Sequence, residues 1–169
     1  MATKTAGKAA GKIEARLAEL TIELPDAMPP VANYIPALQT GDLMYIAGQI
    51  CQWNGEVRFI GKCGRDFDHE QGRLAARLCG LNIIAQLRHA LYGDLDRVVR
   101  CVRIGGFVNS TPDFTDQPLV VNGCSDLMVE VFGDPGKHAR TSIGVAALPA
   151  GAAVEVEGIF QVRGDARRR

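Results

Sequence analysis

The stretch Arg140-Thr-Ser-Ile-Gly-Val-Ala-Ala-Leu-Pro149-Ala-Gly-Ala-Ala-Val-Glu155-Val-Glu157-Gly-Ile-Phe160 decides the fold. Its pattern predicts a strand, a Pro-Gly turn and a second strand, with isolated charges among small and apolar residues. An ion buried without a partner costs several kcal/mol, so an apolar strand gains no stability from such charges. Arg140, Glu155 and Glu157 are therefore either edge residues facing water or members of a ligand site. The rest of the sequence favours a ligand site.

Composition describes an ordinary soluble globular protein. The chain has 169 residues, of which 47% are hydrophobic and 22% charged, enough for one domain with a real core. Basic and acidic residues balance to zero net charge, so no global positive field attracts nucleic acid or an anionic membrane. Five scattered cysteines form no Cys-x-x-Cys pair and no zinc-ligand spacing with the histidines. This pattern favours reduced thiols, a cytoplasmic location and no structural metal, and no apolar run approaches the roughly 18 residues that span a membrane.

Hydrophobic spacing and chain breakers divide the sequence into two predicted tails and one domain. Residues 1–11 are predicted to be a flexible N-terminus without the apolar core of a signal peptide, and 163–169 a solvated, basic C-terminal tail. The domain, 12–162, has no internal repeats. Its predicted elements are a short helix Ile13–Leu20, a proline-rich loop Asp26–Pro36, a strand Leu43–Ile50, a hairpin arm Gly55–Cys63, a helix His69–Leu91, a strand Val98–Val108, a loop Asn109–Thr115, a helix Asp116–Phe132 and the two closing strands.

This order of elements predicts an α+β domain with one mixed sheet and two helices packed on one face. Two helices cover only one side of a sheet. The other side would be an apolar patch too large for a soluble monomer. The sequence therefore predicts oligomerisation through the open face.

Several motifs together resemble the RidA/YjgF family, whose members are often labelled "L-PSP endoribonuclease-like". They lie between about residues 32 and 161 and comprise Tyr34-Ile-Pro-Ala37, Tyr45-Ile-Ala-Gly-Gln49, the long helix with Asn82, a helix opening at Asn122, and Arg140-x7-Leu148-Pro149-x5-Glu155-x-Glu157. The resemblance implies a chorismate-mutase-like fold and a homotrimer with a central β-barrel and ligand clefts between subunits. It also implies hydrolysis of enamine and imine metabolites, such as 2-aminoacrylate and 2-iminopropionate, to 2-keto acids and ammonia. No metal or organic cofactor is expected.

The resemblance assigns roles to four residues of this chain. It places the family's carboxylate-binding arginine on Arg140 and the glutamate that handles the attacking water on Glu155. The early-loop tyrosine falls on Tyr34, and the helix-opening asparagine on Asn122. These residues are the candidates for binding and catalysis.

Two positions depart from the family pattern. The family's Ser-Gly pair falls on Ala47-Gly48, and Ala47 has no hydroxyl to donate, which leaves Gly48 as the site residue there. Ser142, two residues after the arginine, stands where several members carry a cysteine. With the insert 111–118, these departures indicate a divergent subgroup.

The residue types themselves suit imine hydrolysis. A planar guanidinium clamps a carboxylate with two parallel hydrogen bonds, whereas a lysine holds it only as a point charge. Once the carboxylate is bound, hydrolysis needs a water aimed at the imine carbon and a group that moves protons. A partly desolvated Glu155 has the raised pKa that this role requires. Positioning plus one acid/base is sufficient, in keeping with the absence of any Ser-His-Asp or Cys-His arrangement in the sequence.

Strand geometry predicts where the two principal residues lie. Arg140 begins one strand, and Glu155 begins the next, which runs in the opposite direction. At about 3.3 Å per residue, the two should be ~20 Å or more apart within one subunit. Only neighbouring subunits could then bring them to one ligand, and a separation below about 10 Å in one chain would contradict this expectation.

Three functions stay open on the sequence alone: an imine/enamine deaminase, a trimer that binds small carboxylates or keto acids without turnover, and an endoribonuclease. Zero net charge and the absence of a basic-aromatic platform or a histidine pair disfavour the ribonuclease. Structural roles also stay open, with Arg140 as an interface salt bridge, Glu155 as a solvent-facing residue and Tyr34 as a core packing residue.

Overall fold

A computed structural model describes residues 11–29 and 33–164 of the chain. In chain order, its α-helices and β-strands are α1 (Lys12–Glu19), β1 (Ala37–Thr40), β2 (Leu43–Ile50), β3 (Gln52–Trp53), β4 (Glu56–Val57), α2 (His69–Ala90), β5 (Val98–Asn109), α3 (Gln117–Phe132), β6 (Ala139–Val145) and β7 (Val154–Val162). The predicted tails lie outside the described residues except for Gly11, Arg163 and Gly164. Gly11 caps α1, and the backbone N–H of Arg163 donates to the carbonyl of Arg97 at 2.8 Å.

The main sheet is mixed, as predicted, with the strand order β1-β2-β7-β5-β6. β6 runs parallel to β5, while β7 pairs antiparallel with both β5 and β2. The two strands of the opening stretch are therefore not neighbours, because β5 lies between them. The connection runs from Val145 to Val154 and includes a 3₁₀ turn at Pro149–Gly151. It is long enough to pass over one strand, which a two-residue hairpin turn is not.

Two long helices pack on one face of this sheet, α2 against β2 and β7 and α3 against β5 and β6. α2 begins at a capping box, in which the Asp68 side chain accepts from the Gln71 backbone N–H and the Gln71 side chain accepts from the Asp68 backbone N–H. The helices approach closely at Gly123, where an added Cβ would lie 1.9 Å from the carbonyl oxygen of Arg73. α1 is a third helix and packs on α3.

Alternation along β7 defines the two faces of the sheet. Val154, Val156 and Phe160 are fully buried beneath the helices. Glu155 and Glu157 point to the opposite, open face, because successive side chains of a strand alternate. The core is therefore a single layer between the sheet and helices α2 and α3.

The predicted hairpin arm is misplaced by a few residues. Its strands are Gln52–Trp53 and Glu56–Val57, and the turn is Asn54-Gly55, with φ angles of 49° and 87°. An Asn-Gly pair with both φ angles positive is the favoured two-residue hairpin turn, so the pair is the tip of the arm. Gly55 was predicted as the start of the arm, which placed the hairpin too late in the chain.

The open face carries large apolar side chains that no element of the described residues covers. Leu38, Tyr45 and Ile143 are 53%, 40% and 45% exposed. In the middle of this face, Arg103 and Glu157 form an ion pair at 3.0 Å. Within 11–29 and 33–164, no helix is long and apolar enough to cross a membrane.

Candidate functional site

Arg140 lies on the helix side of the edge strand β6. It is in register with Ile104 of β5, which is fully buried under the helices, and paired residues of neighbouring strands point to the same face. The exposed guanidinium reaches α3, where Nη1 donates to the side-chain oxygen of Asn122 at 2.7 Å and to Ser125 Oγ at 3.1 Å, and Nη2 donates to the Pro118 carbonyl at 3.2 Å. No carboxylate of the described residues pairs with Arg140, so its charge is available to an anion.

Asn122 contacts this guanidinium, and Ser142 lies on the same strand as Arg140. Asn122 is in the second turn of α3, not at its opening as predicted, because the helix begins at Gln117. Ser142 is two residues after Arg140 on the same face of β6, and its buried Oγ has no hydrogen-bond partner among the described residues. An unpaired buried hydroxyl costs about 1–3 kcal/mol, and a ligand recovers that cost if the Ser142 side chain rotates to meet it. We call Arg140, Asn122 and Ser142 the arginine half-site.

Two residues that are not among the predicted site residues extend the arginine half-site. Ser125 Oγ and His138 Nε2 are 3.0 Å apart, and His138 Nδ1 lies 2.6 Å from the carbonyl oxygen of Gly136. A Ser-His pair therefore exists, although the sequence suggested none. The two residues are 13 positions apart on different elements, and only the packing of α3 on β6 brings them together. Burial is the largest influence on His138 and lowers its pKa below the ordinary value.

Glu155 lies at the start of β7 on the open face. The side chain is half-buried, and no donor among the described residues is within hydrogen-bond distance of its carboxylate. Burial, followed by the like charge of Glu157, raises the pKa of Glu155 above its ordinary value. A carboxylate with these properties can accept a proton from water and return it.

Gly48 has a steric reason to be glycine. A register shift in β2 between Ile46 and Gln49 places Gly48 beneath Glu155, and a Cβ added to Gly48 would lie 1.9 Å from Glu155 Oε1. The missing side chain therefore makes room for the Glu155 carboxylate. The Gln49 amide donates to the carbonyl oxygens of Ala47 and Gly48 and stabilises the shift.

Tyr34 lies near the same end of the sheet. It is 48% exposed, so it does not pack in the core of this chain. Two residues later, the Pro36 carbonyl accepts from the Ala47 backbone N–H at 2.9 Å, which places the loop beside the irregular part of β2. We call Glu155, Gly48 and Tyr34 the glutamate half-site.

The two half-sites lie apart within one chain. Arg140 is paired with Ile104 of β5, and Glu155 is paired with Phe107 of the same strand. The two residues are therefore two strand spacings apart across the sheet and three residues apart along it, so their Cα atoms are separated by about 14 Å. The predicted ~20 Å was too long, because Glu155 is level with Ile143 rather than with the far end of β6. The two side chains also point to opposite faces of the sheet, which the sequence did not predict.

All five cysteines are free and buried. In the described part of the chain, no group of three or more His, Cys, Asp and Glu side chains is arranged to hold a metal ion.

Comparison with known proteins identifies the fold family. The model of a family described as YjgF/chorismate mutase-like, a description that also carries the endoribonuclease name, matches residues 14–157. The chain belongs to this family. Among YjgF-like relatives, Protein TCP17 of Trypanosoma cruzi is 43% identical over 155 residues, which are 91% of this chain and 96% of the relative. A 2-iminobutanoate/2-iminopropanoate deaminase of Dermatophagoides farinae is 28% identical over 141 residues, 83% of this chain and 94% of the relative.

The solved structures agree with this assignment. The crystal structure of Atu1372 from Agrobacterium tumefaciens, described as having unknown function, superposes with a TM-score of 0.83 at 43% identity over 90% of this chain and 94% of that one. The YjgF gene product of E. coli has a TM-score of 0.59 at 22% identity, with 83% of this chain and 97% of that one covered, and so supports the fold alone.

Proposed function

We propose that the protein is a hydrolytic deaminase of small 2-imino acids, which it converts to 2-keto acids and ammonia. The observation that carries the proposal is the arginine half-site, where an exposed guanidinium without an acidic partner lies on the same face of β6 as a serine whose hydroxyl has no partner among the described residues. Such a pair of donors suits a carboxylate. The 28% identical relative named as a 2-iminobutanoate/2-iminopropanoate deaminase supports the same substrate class.

Arg140 and Ser142 would bind the substrate carboxylate. The guanidinium keeps its Nε–H and one N–H of Nη2 without an acceptor among the described residues. Two N–H groups on one planar cation bind a carboxylate directionally, and the charge makes each hydrogen bond stronger than a neutral one. The carboxylate would also accept from Ser142 Oγ, which stands where related proteins carry cysteine.

Glu155 would act on the imine carbon. As a base, it removes a proton from water while the oxygen attacks the C=N carbon, and it returns that proton to the nitrogen, which gives a neutral carbinolamine. Glu155 then removes the proton of the carbinolamine hydroxyl and delivers it to the amine nitrogen, so the C–N bond breaks and ammonia leaves as the C=O bond forms. Water and imine thus become keto acid and ammonia without a redox step. The raised pKa of Glu155 suits both proton transfers.

The complete site would form between subunits of a homotrimer. The half-sites face opposite sides of the sheet in one chain, so a small substrate cannot contact both without a second copy. The exposed side chains of Leu38, Tyr45 and Ile143 give the open face an apolar surface for that contact. A closed ring of three would bury this face in a central barrel and create three equivalent sites.

The proposal is tested by generating a 2-imino acid in situ with an amino-acid oxidase and trapping the surviving imine with semicarbazide. Wild type should deplete the trapped imine, whereas Arg140→Lys and Glu155→Gln should lose at least about tenfold in kcat/KM, since each removes one role. Arg88→Lys and Glu70→Gln, which change exposed residues of α2 by the same chemistry, serve as matched controls.

Two results would contradict the proposal. Binding of 2-keto acids without any release of ammonia would make the protein a carboxylate-binding module. Cleavage of RNA that persists in Arg140→Lys and Glu155→Gln, with no acceleration of imine loss by wild type, would place the activity elsewhere on the molecule.

A further inference from the structure

A continuous chain of hydrogen bonds supports Arg140 from behind. It runs from the Gly136 carbonyl to His138 Nδ1 at 2.6 Å, from His138 Nε2 to Ser125 Oγ at 3.0 Å, and from Ser125 Oγ to Arg140 Nη1 at 3.1 Å. His138 and Ser125 are both half-buried, and they join β6 to α3 behind the guanidinium. The imine hydrolysis described above uses neither residue.

The direction of the chain follows from its first member. A carbonyl only accepts hydrogen bonds, so His138 Nδ1 carries a proton and donates to Gly136. Burial lowers the pKa of His138, so the ring is neutral at pH 7 and Nε2 is an acceptor. The Ser125 hydroxyl therefore donates to Nε2, and its lone pairs remain to accept from Arg140. Each group in the chain has the polarity that the next one requires.

Three acceptors on α3 hold the guanidinium in one orientation. Asn122 and Ser125 accept from Nη1, and the Pro118 carbonyl accepts from Nη2. A long, exposed arginine side chain loses considerable rotamer entropy when it is held, so each fixed contact before binding reduces the cost of binding. The N–H groups left without acceptors in the described region then point to the substrate position before the substrate arrives.

We propose that His138 and Ser125 are positioning residues that orient Arg140 for the substrate carboxylate, and that protonation of His138 releases this orientation. The inference rests on the proposed function, since it assigns the carboxylate to Arg140. When Nε2 gains a proton, it donates to Ser125 Oγ, so the hydrogen of the serine hydroxyl has to rotate away from the histidine ring. Ser125 Oγ then accepts from His138 Nε2 as well as from Arg140 Nη1, and the second positive charge repels the guanidinium from its place on α3.

The surroundings of His138 leave Arg140 as its main charged neighbour. Asp126 and Glu130 of α3 pair with arginines of α2 at 2.6 and 2.8 Å, which engages both carboxylates with partners other than His138. Lys137 pairs with Asp134 at 2.8 Å in the preceding turn. The positive charge of Arg140 also lowers the pKa of His138, after the effect of burial.

The test measures binding of 2-oxobutanoate, a stable 2-keto acid, by calorimetry. Its carboxylate stays ionised throughout, so a change in affinity between about pH 7.5 and about pH 5 reports on the protein. In wild type, Kd should rise about tenfold as pH falls, which corresponds to about 1.4 kcal/mol. Protonation of Glu155 over the same range would favour an anion and have the opposite sign, as would the direct attraction between a charged His138 and the carboxylate. Glu155→Gln protein removes the first contribution, and the expected rise in Kd is the net effect after the second.

Variants separate positioning from a merely structural role. His138→Gln places an amide oxygen near the position of Nε2 and cannot titrate, so binding should stay close to wild type at neutral pH and lose its dependence on pH. Ser125→Ala should weaken binding about tenfold at neutral pH and abolish the same pH dependence. His89→Gln, a change at an exposed histidine at the end of α2, is the matched control.

A second readout does not depend on any ligand. The ¹H–¹⁵N resonance of Arg140 Nε should move with the titration of His138 in wild type, and it should not move in Ser125→Ala. If wild type binds no keto acid but this coupling is present, the proposed function fails and the hydrogen-bond chain stands. If the Arg140 resonance ignores His138, or if His138→Gln keeps the wild-type pH dependence of Kd, the inference is overturned. Loss of imine turnover in Ser125→Ala with unchanged Kd would also overturn it, because Ser125 would then act in the chemistry.

Discussion

Mixing two inactive variants should restore catalysis if Arg140 and Glu155 meet only across a subunit interface. The perturbation is a pair of single changes, Arg140→Ala in one protein and Glu155→Gln in another. Each homo-oligomer contains no intact site. In a mixed ring, a chain that keeps Arg140 can lie beside a chain that keeps Glu155, and the interface between them contains both.

The structure sets the expected magnitude. Because the two side chains point to opposite faces of the sheet, with Cα atoms about 14 Å apart, each site would take one residue from each of two chains. In an equal, random mixture, half of the chains carry Arg140 and half of their neighbours carry Glu155. About one quarter of the wild-type activity should therefore return, whatever the number of chains in the closed ring.

The assay follows trapped imine after the subunits have been exchanged in mild denaturant and reassembled, with native mass spectrometry to confirm mixed rings. A matched control mixes wild type with the Arg140→Ala/Glu155→Gln double variant. An interface site predicts about one quarter of full activity in that mixture, and a site within one chain predicts about one half.

No recovered activity in rings that are demonstrably mixed would refute the reasoning. The reasoning would also be refuted if the mixture of wild type with the double variant kept half of full activity. Either result would mean that the two residues act on a substrate from the same chain, or that only one of them acts.

Three further predictions follow from the geometry. Gly48→Ala should lower kcat at least about tenfold while 2-oxobutanoate still binds by calorimetry, because an added Cβ would lie 1.9 Å from Glu155 Oε1 and displace the carboxylate. Glu157→Gln should lower the pKa of Glu155, since it removes a like charge, and so move the acid limb of the kcat profile to lower pH; an unchanged limb would leave burial as the only cause. Phe160→Ala should destabilise the fold by about 3–5 kcal/mol in urea denaturation, because this ring is the largest of the fully buried side chains in the described residues, and a loss below about 1 kcal/mol would contradict that assignment.

Regular elements were predicted well where one local signal dominated. The predicted strand Leu43–Ile50 coincides with β2, and the predicted helix His69–Leu91 ends one residue beyond α2. Both rest on spacing that a single element satisfies by itself, period 2 or 3.6. The hairpin arm was displaced because its two-residue strands carry almost no such signal, and the Asn54-Gly55 turn was the stronger guide.

The pairing of strands within the sheet was harder to predict, because it depends on contacts between distant parts of the chain. The sequence correctly predicted the two strands of the opening stretch and that they run in opposite directions. It did not show that β5 separates them, nor that Arg140 and Glu155 face opposite sides of the sheet. A register shift of one residue moves a side chain to the other face, and nothing local to Arg140 specifies that register.

By itself, the sequence determined the longer elements, the mixed α+β architecture, the family and the candidate residues, because hydrophobic period, turn chemistry and motif spacing are properties of contiguous residues. Only the tertiary structure decided which candidates lie together. It placed Gly48 under a carboxylate 107 positions away, left Ser142 Oγ unpartnered, and aligned His138, Ser125 and Arg140 in one chain of hydrogen bonds. Hydrogen bonds act over about 3 Å, so a relation between such groups exists only after packing has brought their atoms that close.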